Sequence, residues 1–352
     1  MDSLELFEWK ADLDPYGLPS PKGFQQRVMR WGRRQVSQFF GRWPPALDPD
    51  LEQRCPQSFC DFVGGRVEHL RPVAVIAEYL WLSRCLEDLP QGIHRILDTH
   101  DLMHQRLLQY RGTSFSSFFQ CTLADELRCL RRADSVLVIQ EEEKRILSKH
   151  LPSERLVLTP HGHAISAPPE SKRCQKRLVF AGSAHAANVE GLKWFLLEVW
   201  PLIAEQDLAA TFRVIGSCCQ AIQKEIVNCP YQSRIHLAGV VEDLTAHFRQ
   251  SDILVNPILR GSGLKIKVVE ALCCGLGVVS TSKGVEGIDD IDLCSSVRIA
   301  DAPQSFANGI LQLLNSPDAL TSASLNFAEP RFSEQSAYSR LRVVLDATCR
   351  SK

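Results

Sequence analysis

Residues 252–280 read DILVNPILRGSGLKIKVVEALCCGLGVVS, with a short apolar run at each end and a helix-like segment between them. Short apolar runs bounded by turns are typical of buried parallel strands. Two glycines, Gly261 and Gly263, stand where the first run passes into the helix-like segment. The stretch therefore predicts a strand-helix-strand unit with a glycine turn at its first corner, and parallel strands joined by a helix define an α/β fold.

The same alternation extends to both sides and predicts two α/β blocks. In the first block, strands are predicted at 73–77, 93–97 and 135–139, with helices at 24–40 and 115–133. In the second block, strands are predicted at 177–181, 212–215, 235–237, 253–255 and 278–280, with helices at 189–203, 221–227, 244–250 and 264–274. We expect a Rossmann-like domain over 1–165, a doubly wound domain over 166–326 that follows a hinge at 165–176, and a C-terminal segment at 327–352 with a helix at 333–347.

The composition excludes several function classes. Forty Lys and Arg residues against forty-one Asp and Glu give a net charge of −1, so no overall positive field attracts nucleic acid. No apolar run reaches the ~20 residues that a membrane-spanning helix needs, although peripheral membrane contact is compatible with the sequence. The chain starts MDSLELFEWK, with acids where a secretory signal carries Lys or Arg. Because the thirteen cysteines show no zinc-type CxxC pair, we interpret them as reduced thiols in a cytoplasmic protein.

The glycine turn has the composition of an anion site. Gly261, Ser262 and Gly263 precede a helix, where close backbone approach and free amides favour an anion such as a diphosphate. Lys267 and Glu270 share one helix face, so the cation can reach phosphate oxygens while the carboxylate accepts hydrogen bonds from sugar hydroxyls. The alternative is a tight turn followed by a solvated Lys-Glu pair. The stretch lacks the third glycine of a Rossmann fingerprint and the GK[ST] of a P-loop.

Four stretches of the second block resemble the donor-binding domain of family 4 glycosyltransferases. They are FAGSAHAANVEGLKWFLLEVWP at 180–201, LAGVVEDL at 237–244, PILRGSGLKIKVVEALCCGLGVVST at 257–281 and KGVEGI at 283–288. Members of this family have the GT-B fold of two facing Rossmann-like domains. The resemblance implies a retaining, metal-independent transfer of a hexose from a UDP- or GDP-sugar to a glycan or lipid-linked acceptor. It implies neither a cofactor nor a nucleic acid partner.

The resemblance also implies roles for residues of the second block. The glutamate matching Glu270 holds the ribose, and the glycine loop containing Gly261, Ser262 and Gly263 faces the diphosphate. Ser262 stands where the family often has a second glutamate near the donor sugar.

The diphosphate contacts are expected to differ from those of many members. Those members place an Arg and a Lys after the first strand of this domain, whereas this chain has Gly182, Ser183 and Asn188 there. The positive charge is therefore expected to come from Lys267, with Lys265 or Arg260 as further candidates.

A polar run in the first block predicts a second part of the site. Residues 95–106 read RILDTHDLMHQR, so a strand delivers His100 and Asp101 to its C-terminal end, where open α/β sheets bind ligands. Similar transferases place a His here, facing the donor sugar, and the imidazole or the carboxylate can take a proton from the attacking hydroxyl. Two alternatives stay open: His100 only packs or caps, or the HDxxH pattern of His100 and His104 binds zinc.

Three further features bear on function. His161 and His163 form an HGH triplet before the expected hinge, for which we favour a structural turn over a metal pair. Glu78 and Tyr79 end a predicted strand and either line the site or form a half-buried pair. The apolar strand and glycine-rich loop that usually open the first domain of the family are not found before Val73. This departure supports an alternative function, a non-catalytic module that binds nucleotide sugars.

Overall fold

The computed structural model describes residues 51, 54–109, 121–167, 175–261, 263–316 and 319–350. The expected helix at 24–40, Ser262 and residues 168–174 of the expected hinge lie outside these described residues. The chain divides into two compact units. Unit 1 comprises residues 1–138, 144–157 and 343–352, and unit 2 comprises residues 139–143 and 158–342.

Unit 1 is built on a sheet in the order β1-β2-β3-β4. The strands are β1 (Ala74–Glu78), β2 (His94–Asp98), β3 (Ser135–Val138) and β4 (Leu156–Leu158). β2 pairs in parallel with β1 and with β3. Every residue of β3 is buried, as expected for a parallel strand that is covered on both faces. The strands predicted at 73–77, 93–97 and 135–139 are thus confirmed to within one residue at each end.

The described helices that accompany this sheet are α1 (Gln57–Leu70), α2 (Met103–Gln109), α3 (Leu123–Leu130) and α4 (Glu141–Leu147), with 3-10 turns at Leu80–Leu86 and Ser153–Arg155. Of the helix expected over 115–133, residues 115–120 lie outside the described residues, and the described helix α3 starts at Leu123. A capping box fixes this start, because the Thr122 hydroxyl accepts from the Asp125 amide at 3.2 Å and the Asp125 carboxylate accepts from the Thr122 amide at 3.1 Å.

Unit 2 is built on a parallel sheet in the order β10-β9-β8-β5-β6-β7. The strands are β5 (Arg177–Ala181), β6 (Thr211–Ile215), β7 (Ile235–Gly239), β8 (Ile253–Asn256), β9 (Gly277–Ser280) and β10 (Val297–Ile299). The first and fourth of these strands, β5 and β8, lie side by side at the centre, and the chain proceeds outward from each. This is the order of a doubly wound fold, and the five strands predicted here are confirmed.

The described helices that start in unit 2 after β5 are α5 (Ala186–Trp194), α6 (Trp200–Gln206), α7 (Cys218–Ala221), α8 (Gln223–Val227), α9 (Leu244–Arg249), α10 (Ile266–Cys273), α11 (Pro303–Leu314), α12 (Leu320–Phe332), α13 (Glu334–Ala337) and α14 (Ser339–Arg350). Residues of α14 from 343 onward belong to unit 1. A π turn at Phe195–Val199 joins α5 to α6, within the helix expected over 189–203. The main core contains five aromatic side chains that are 0% exposed: Phe180, Phe195, Trp200, Phe212 and Phe306. Burial of one such side chain contributes about 1.5–3 kcal/mol, so this core anchors the sheet.

The C-terminal segment differs from its prediction. One helix was expected over 333–347, but α13 and α14 are separate because Tyr338 leaves the helical region, with φ −97° and ψ 6°. The Ser333 hydroxyl accepts from the Ser336 amide and starts α13. Within the described residues, no helix is both long enough and apolar enough to cross a membrane. The described cysteines are free thiols, and all but Cys349 are buried.

Candidate donor-binding site

The predicted donor residues follow the two central strands of unit 2. β5 ends at Ala181 and leads into Gly182 and Ser183, while β8 ends at Asn256 and leads toward Gly261. β5 and β8 are parallel neighbours, so their carboxyl ends lie at the same edge of the sheet. The strand order reverses between them, and the crevice at such a switch point is where doubly wound sheets bind ligands.

The glycine loop before α10 uses backbone conformations that favour glycine. Gly261 has φ +132° and Gly263 has φ +75°. Among the described residues, nothing lies within 4 Å of the position that a Cβ of Gly261 would occupy. The helix starts at Ile266 rather than near Leu264, because Lys265 has φ −85° and ψ 80°. Lys267 lies in the first turn of this helix, as the sequence predicted, and anion binding at the loop stays a prediction.

Four predicted donor residues come together beside this helix. The Lys267 ammonium donates to Asn188 Oδ1 at 2.9 Å and lies 4.2 Å from the centre of the Phe180 ring. The Asn188 amide donates in turn to the carbonyl oxygen of Ser183 at 3.1 Å. A Cβ on Gly182 would lie 3.0 Å from Asn188 Cγ, so only glycine leaves room for this arrangement.

The surroundings of Lys267 lower the pKa of its side chain. Burial, with a smaller contribution from the neighbouring Lys265, lowers the pKa of its side chain to about 7, whereas Cys218 and Glu270 oppose the shift. A cation that is poorly solvated in the empty protein gains most from a bound anion. Lys267 is such a cation, and its role in binding a diphosphate stays a prediction.

The two other candidate cations are engaged differently. Arg260 forms an ion pair with Glu190, with 3.2 Å between Nη2 and Oε1. Lys265 donates to the carbonyl oxygen of Gly263 at 2.8 Å and so braces the glycine loop. Lys267 is thus the cation that lies within the cluster of predicted donor residues.

Two further residues at this edge of the sheet were not predicted from the sequence. Gly216, with φ +108°, follows β6, and a Cβ there would lie 2.1 Å from the Gly182 carbonyl oxygen. The Ser217 hydroxyl accepts from the Ala184 amide at 2.9 Å. Together they hold the turn that carries Gly182 and Ser183. The available signal was a glycine directly after a predicted strand, a position at which close backbone approach is common.

Glu270 lies one turn beyond Lys267 on α10, half-buried. Its carboxylate oxygen Oε1 is 3.6 Å from His161 Nε2. Both residues belong to unit 2, so this pair is internal to one compact body. Nothing in the sequence linked His161 to Glu270, because their proximity arises from tertiary packing of the segment after β4 against α10.

In unit 1, the carboxyl ends of β1 and β2 carry a stack of rings. Tyr79 packs on Trp81 at 4.3 Å and on His100 at 4.0 Å between ring centres. Both Tyr79 and His100 have left-handed backbones, with φ +64° and +61°. The Glu78 carboxylate lies 3.0 Å from His100 Nε2, so Glu78 and Tyr79 together hold the imidazole. Backbone strain of this kind concentrates at functional sites.

The other polar residues of this run have separate partners. Asp101 accepts from Arg106 Nη1 at 3.1 Å, and burial raises the pKa of its carboxyl above the usual range. His104 Nδ1 pairs with the buried Glu126. His100 and His104 thus bind different carboxylates, and the described residues offer no shared metal site for the HDxxH pattern.

A surface cavity of about 340 Å³ lies elsewhere in unit 2. Its lining includes Gln140, Gly287, Asp289, Arg331 and Arg340, and none of the predicted donor residues. This cavity is therefore separate from the predicted donor residues at the switch point.

Solved structures with the same fold place the protein in a structural class. A sucrose-phosphate synthase from Thermosynechococcus elongatus superimposes with a TM-score of 0.66 at 15% identity, over 86% of this chain and 79% of that chain. A Staphylococcus aureus TarM mutant, crystallised with fondaparinux, alpha-GlcNAc-glycerol and UDP, gives 0.65 at 14% identity over 82% and 59%. The pneumococcal O-GlcNAc transferase GtfA, in complex with UDP and GlcNAc, gives 0.61 at 15% identity over 82% and 60%. The predicted GT-B fold class is confirmed.

The family follows from the sequence of unit 2. Residues 175–316 match the family model described as "Glycosyl transferases group 1". An uncharacterized 44.6 kDa protein in the cps region of Klebsiella pneumoniae is 30% identical over 105 residues, 28% of this chain and 27% of that protein. The match therefore spans about a quarter of that relative's length. The family-model match lies within unit 2 and covers the four stretches of sequence that carry the family resemblance, which it confirms.

Proposed function

We propose that the protein is a glycosyltransferase that moves a hexose from a UDP- or GDP-sugar to a glycan or lipid-linked acceptor. One observation carries the proposal: Gly182, Ser183, Asn188 and Lys267 meet at the switch point of a glycosyl transferases group 1 domain, beside the Gly261 loop. The UDP in the TarM and GtfA structures makes a uridine donor the first to test.

Each donor group has a matching partner in unit 2. The ammonium of Lys267 and the amides of the glycine loop bind the diphosphate. The ribose hydroxyls donate to the Glu270 carboxylate, one helical turn away. Glycine at position 182 leaves the space that a phosphate oxygen needs near Asn188.

The reaction breaks the bond between the anomeric carbon and the diphosphate oxygen. The acceptor oxygen forms the new bond on the same face of the sugar, so the configuration is retained and no metal takes part. Lys267 and the loop amides stabilise charge as it builds on the leaving diphosphate, the main catalytic contribution. His100, with Asp101 as the second candidate, takes the proton that the acceptor hydroxyl loses.

Donor hydrolysis tests this proposal without a known acceptor. The protein is incubated with UDP-glucose, UDP-N-acetylglucosamine and GDP-mannose, and release of UDP or GDP is measured beside thermal stability. Slow release with one donor, lost in Lys267→Ala and kept in Lys193→Ala, is expected. Lys193 is a matched control because it lies on the same helix as Asn188 but pairs with Glu225.

Stabilisation by a donor without release would instead support a non-catalytic nucleotide-sugar module. Neither stabilisation nor release with any donor would overturn both functions.

We also propose a cytoplasmic location, because the described cysteines are free thiols, as in reducing compartments.

A further inference from the structure

Three side chains of unit 2 converge beside the proposed ribose position. His161, His163 and Glu270 each offer a ligand atom, and these atoms lie within 4.8 Å of one another. The two imidazole rings are near parallel, with centres 6.4 Å apart. Among the described residues, these three side chains form the single group of Asp, Glu, His or Cys side chains whose spacing suits a metal ion.

Backbone contacts hold the two histidines against α10. The His163 amide donates to the Phe332 carbonyl oxygen at 2.8 Å, and the Ser166 amide donates to the Cys273 carbonyl oxygen at 2.9 Å. The Gly162 amide, between the histidines, donates to the Tyr338 hydroxyl at 3.3 Å. The segment is therefore tied to α10 and to the C-terminal helices, and the ligand atoms are brought together before any ion binds.

The donor set has the chemistry of a borderline transition metal. His161 Nε2 is buried and has no hydrogen-bond partner among the described residues, because 3.6 Å to Glu270 is too long for a hydrogen bond. Two imidazoles and one carboxylate bind zinc in sites that keep a fourth position open. Metal bonds of about 2.1 Å place ligand atoms roughly 3.4 Å apart, so small side-chain rotations close the site.

We propose that His161, His163 and Glu270 bind a divalent transition metal such as Zn²⁺ in the nucleotide-free protein. The same carboxylate is assigned to the donor ribose, a point that rests on the proposed function, so metal and donor exclude each other. The metal is then an inhibitor of donor binding and takes no part in the transfer. This is compatible with metal-independent chemistry.

Titration of the protein with Co²⁺ tests the site. The absorption spectrum of bound cobalt distinguishes imidazole and carboxylate ligands from thiolate ligands. This distinction is needed because the chain also contains many cysteines. One Co²⁺ per chain without thiolate absorption is expected. His161→Ala, His163→Ala and Glu270→Gln should each weaken binding at least about tenfold. His236→Ala, at an exposed position on β7, is the control and should bind as the wild type does.

Thiolate absorption, or binding unchanged in the two histidine variants, would overturn the metal site. Circular dichroism and melting temperatures of all variants show whether a loss reflects unfolding. If one variant unfolds, the other two still decide the assignment.

Competition separates this proposal from the proposed function. UDP binding is first measured in a chelator, which tests the nucleotide site alone. Added Zn²⁺ should then weaken UDP binding about tenfold or more in the wild type but not in His163→Ala, where chelation by UDP in solution is the same. Equal effects in both proteins would overturn the shared ligand. Absence of UDP and GDP binding would count against the proposed function, while the cobalt titration still decides the metal site.

Discussion

The carboxyl ends of the two sheets carry different chemistry. In unit 2 the edge is formed by glycines, an amide and one partly desolvated amine, Lys267. In unit 1 the corresponding edge is formed by stacked rings and carboxylates around His100. An edge poor in side chains suits a bulky anion that binds backbone amides. An edge rich in held side chains suits a group that must move a proton, and four substitutions or conditions test this division.

The largest effect is expected from Lys267→Ala. Removal of the only cation in the cluster described around Asn188 takes away charge stabilisation of the leaving diphosphate. We expect kcat to fall about 100-fold, in the range seen for loss of one preorganised stabilising group. Steady-state kinetics measure this fall in kcat, with Lys193→Ala as the control. Unchanged turnover would remove Lys267 from the mechanism.

Glu270→Ala should act on binding more than on the chemical step. Loss of hydrogen bonds to ribose hydroxyls is expected to raise KM for the donor about tenfold, since hydrogen bonds to a charged group contribute about 1.5–3 kcal/mol. Glu286→Ala removes an exposed glutamate paired with Lys283 and serves as the control. A fall in kcat with KM unchanged would place Glu270 elsewhere in the reaction.

The pH dependence of donor binding sharpens the role of Lys267. In the empty protein its pKa is about 7, and a bound diphosphate raises that pKa because it favours the charged form. Affinity for a UDP-sugar should therefore be greatest below pH 7 and fall by up to about tenfold per pH unit above it. Lys267→Arg stays charged and should give a flatter profile. The same slope in both proteins would contradict this assignment.

The smallest effect is expected from Glu78→Gln in unit 1. The carboxylate orients His100 through Nε2, but it is largely exposed, so its loss is expected to lower kcat about threefold to tenfold. KM should not change, and the pH profile of kcat should shift. Glu87→Gln is the control, because Glu87 pairs with Arg132 in the same unit. A change in KM alone would make Glu78 a donor contact.

The sequence predicted the fold better than it predicted the contacts of the site. Short apolar runs revealed the strands of both sheets because buried parallel strands leave a local pattern. The break at Tyr338 and the start of α3 at Leu123 depend on single backbone angles and one capping box, which periodicity does not show.

For the site, residues on the strand ends and on α10 were predicted from the local sequence and its family resemblance. The contact of Lys267 with Asn188 joins residues 79 positions apart, and that of His161 with Glu270 joins two separate segments. Such contacts are set by packing of helices on the sheet. They have no signature in either segment alone.

The low pKa of Lys267 also makes its amine a site for selective covalent modification. An amine that is about half unprotonated at neutral pH is a far better nucleophile than a solvated lysine. An aldehyde carried on an anionic group that enters the Gly261 loop would therefore form a Schiff base at this position in preference to the surface lysines. The same property that favours a diphosphate thus offers a route to covalent labelling of the empty site.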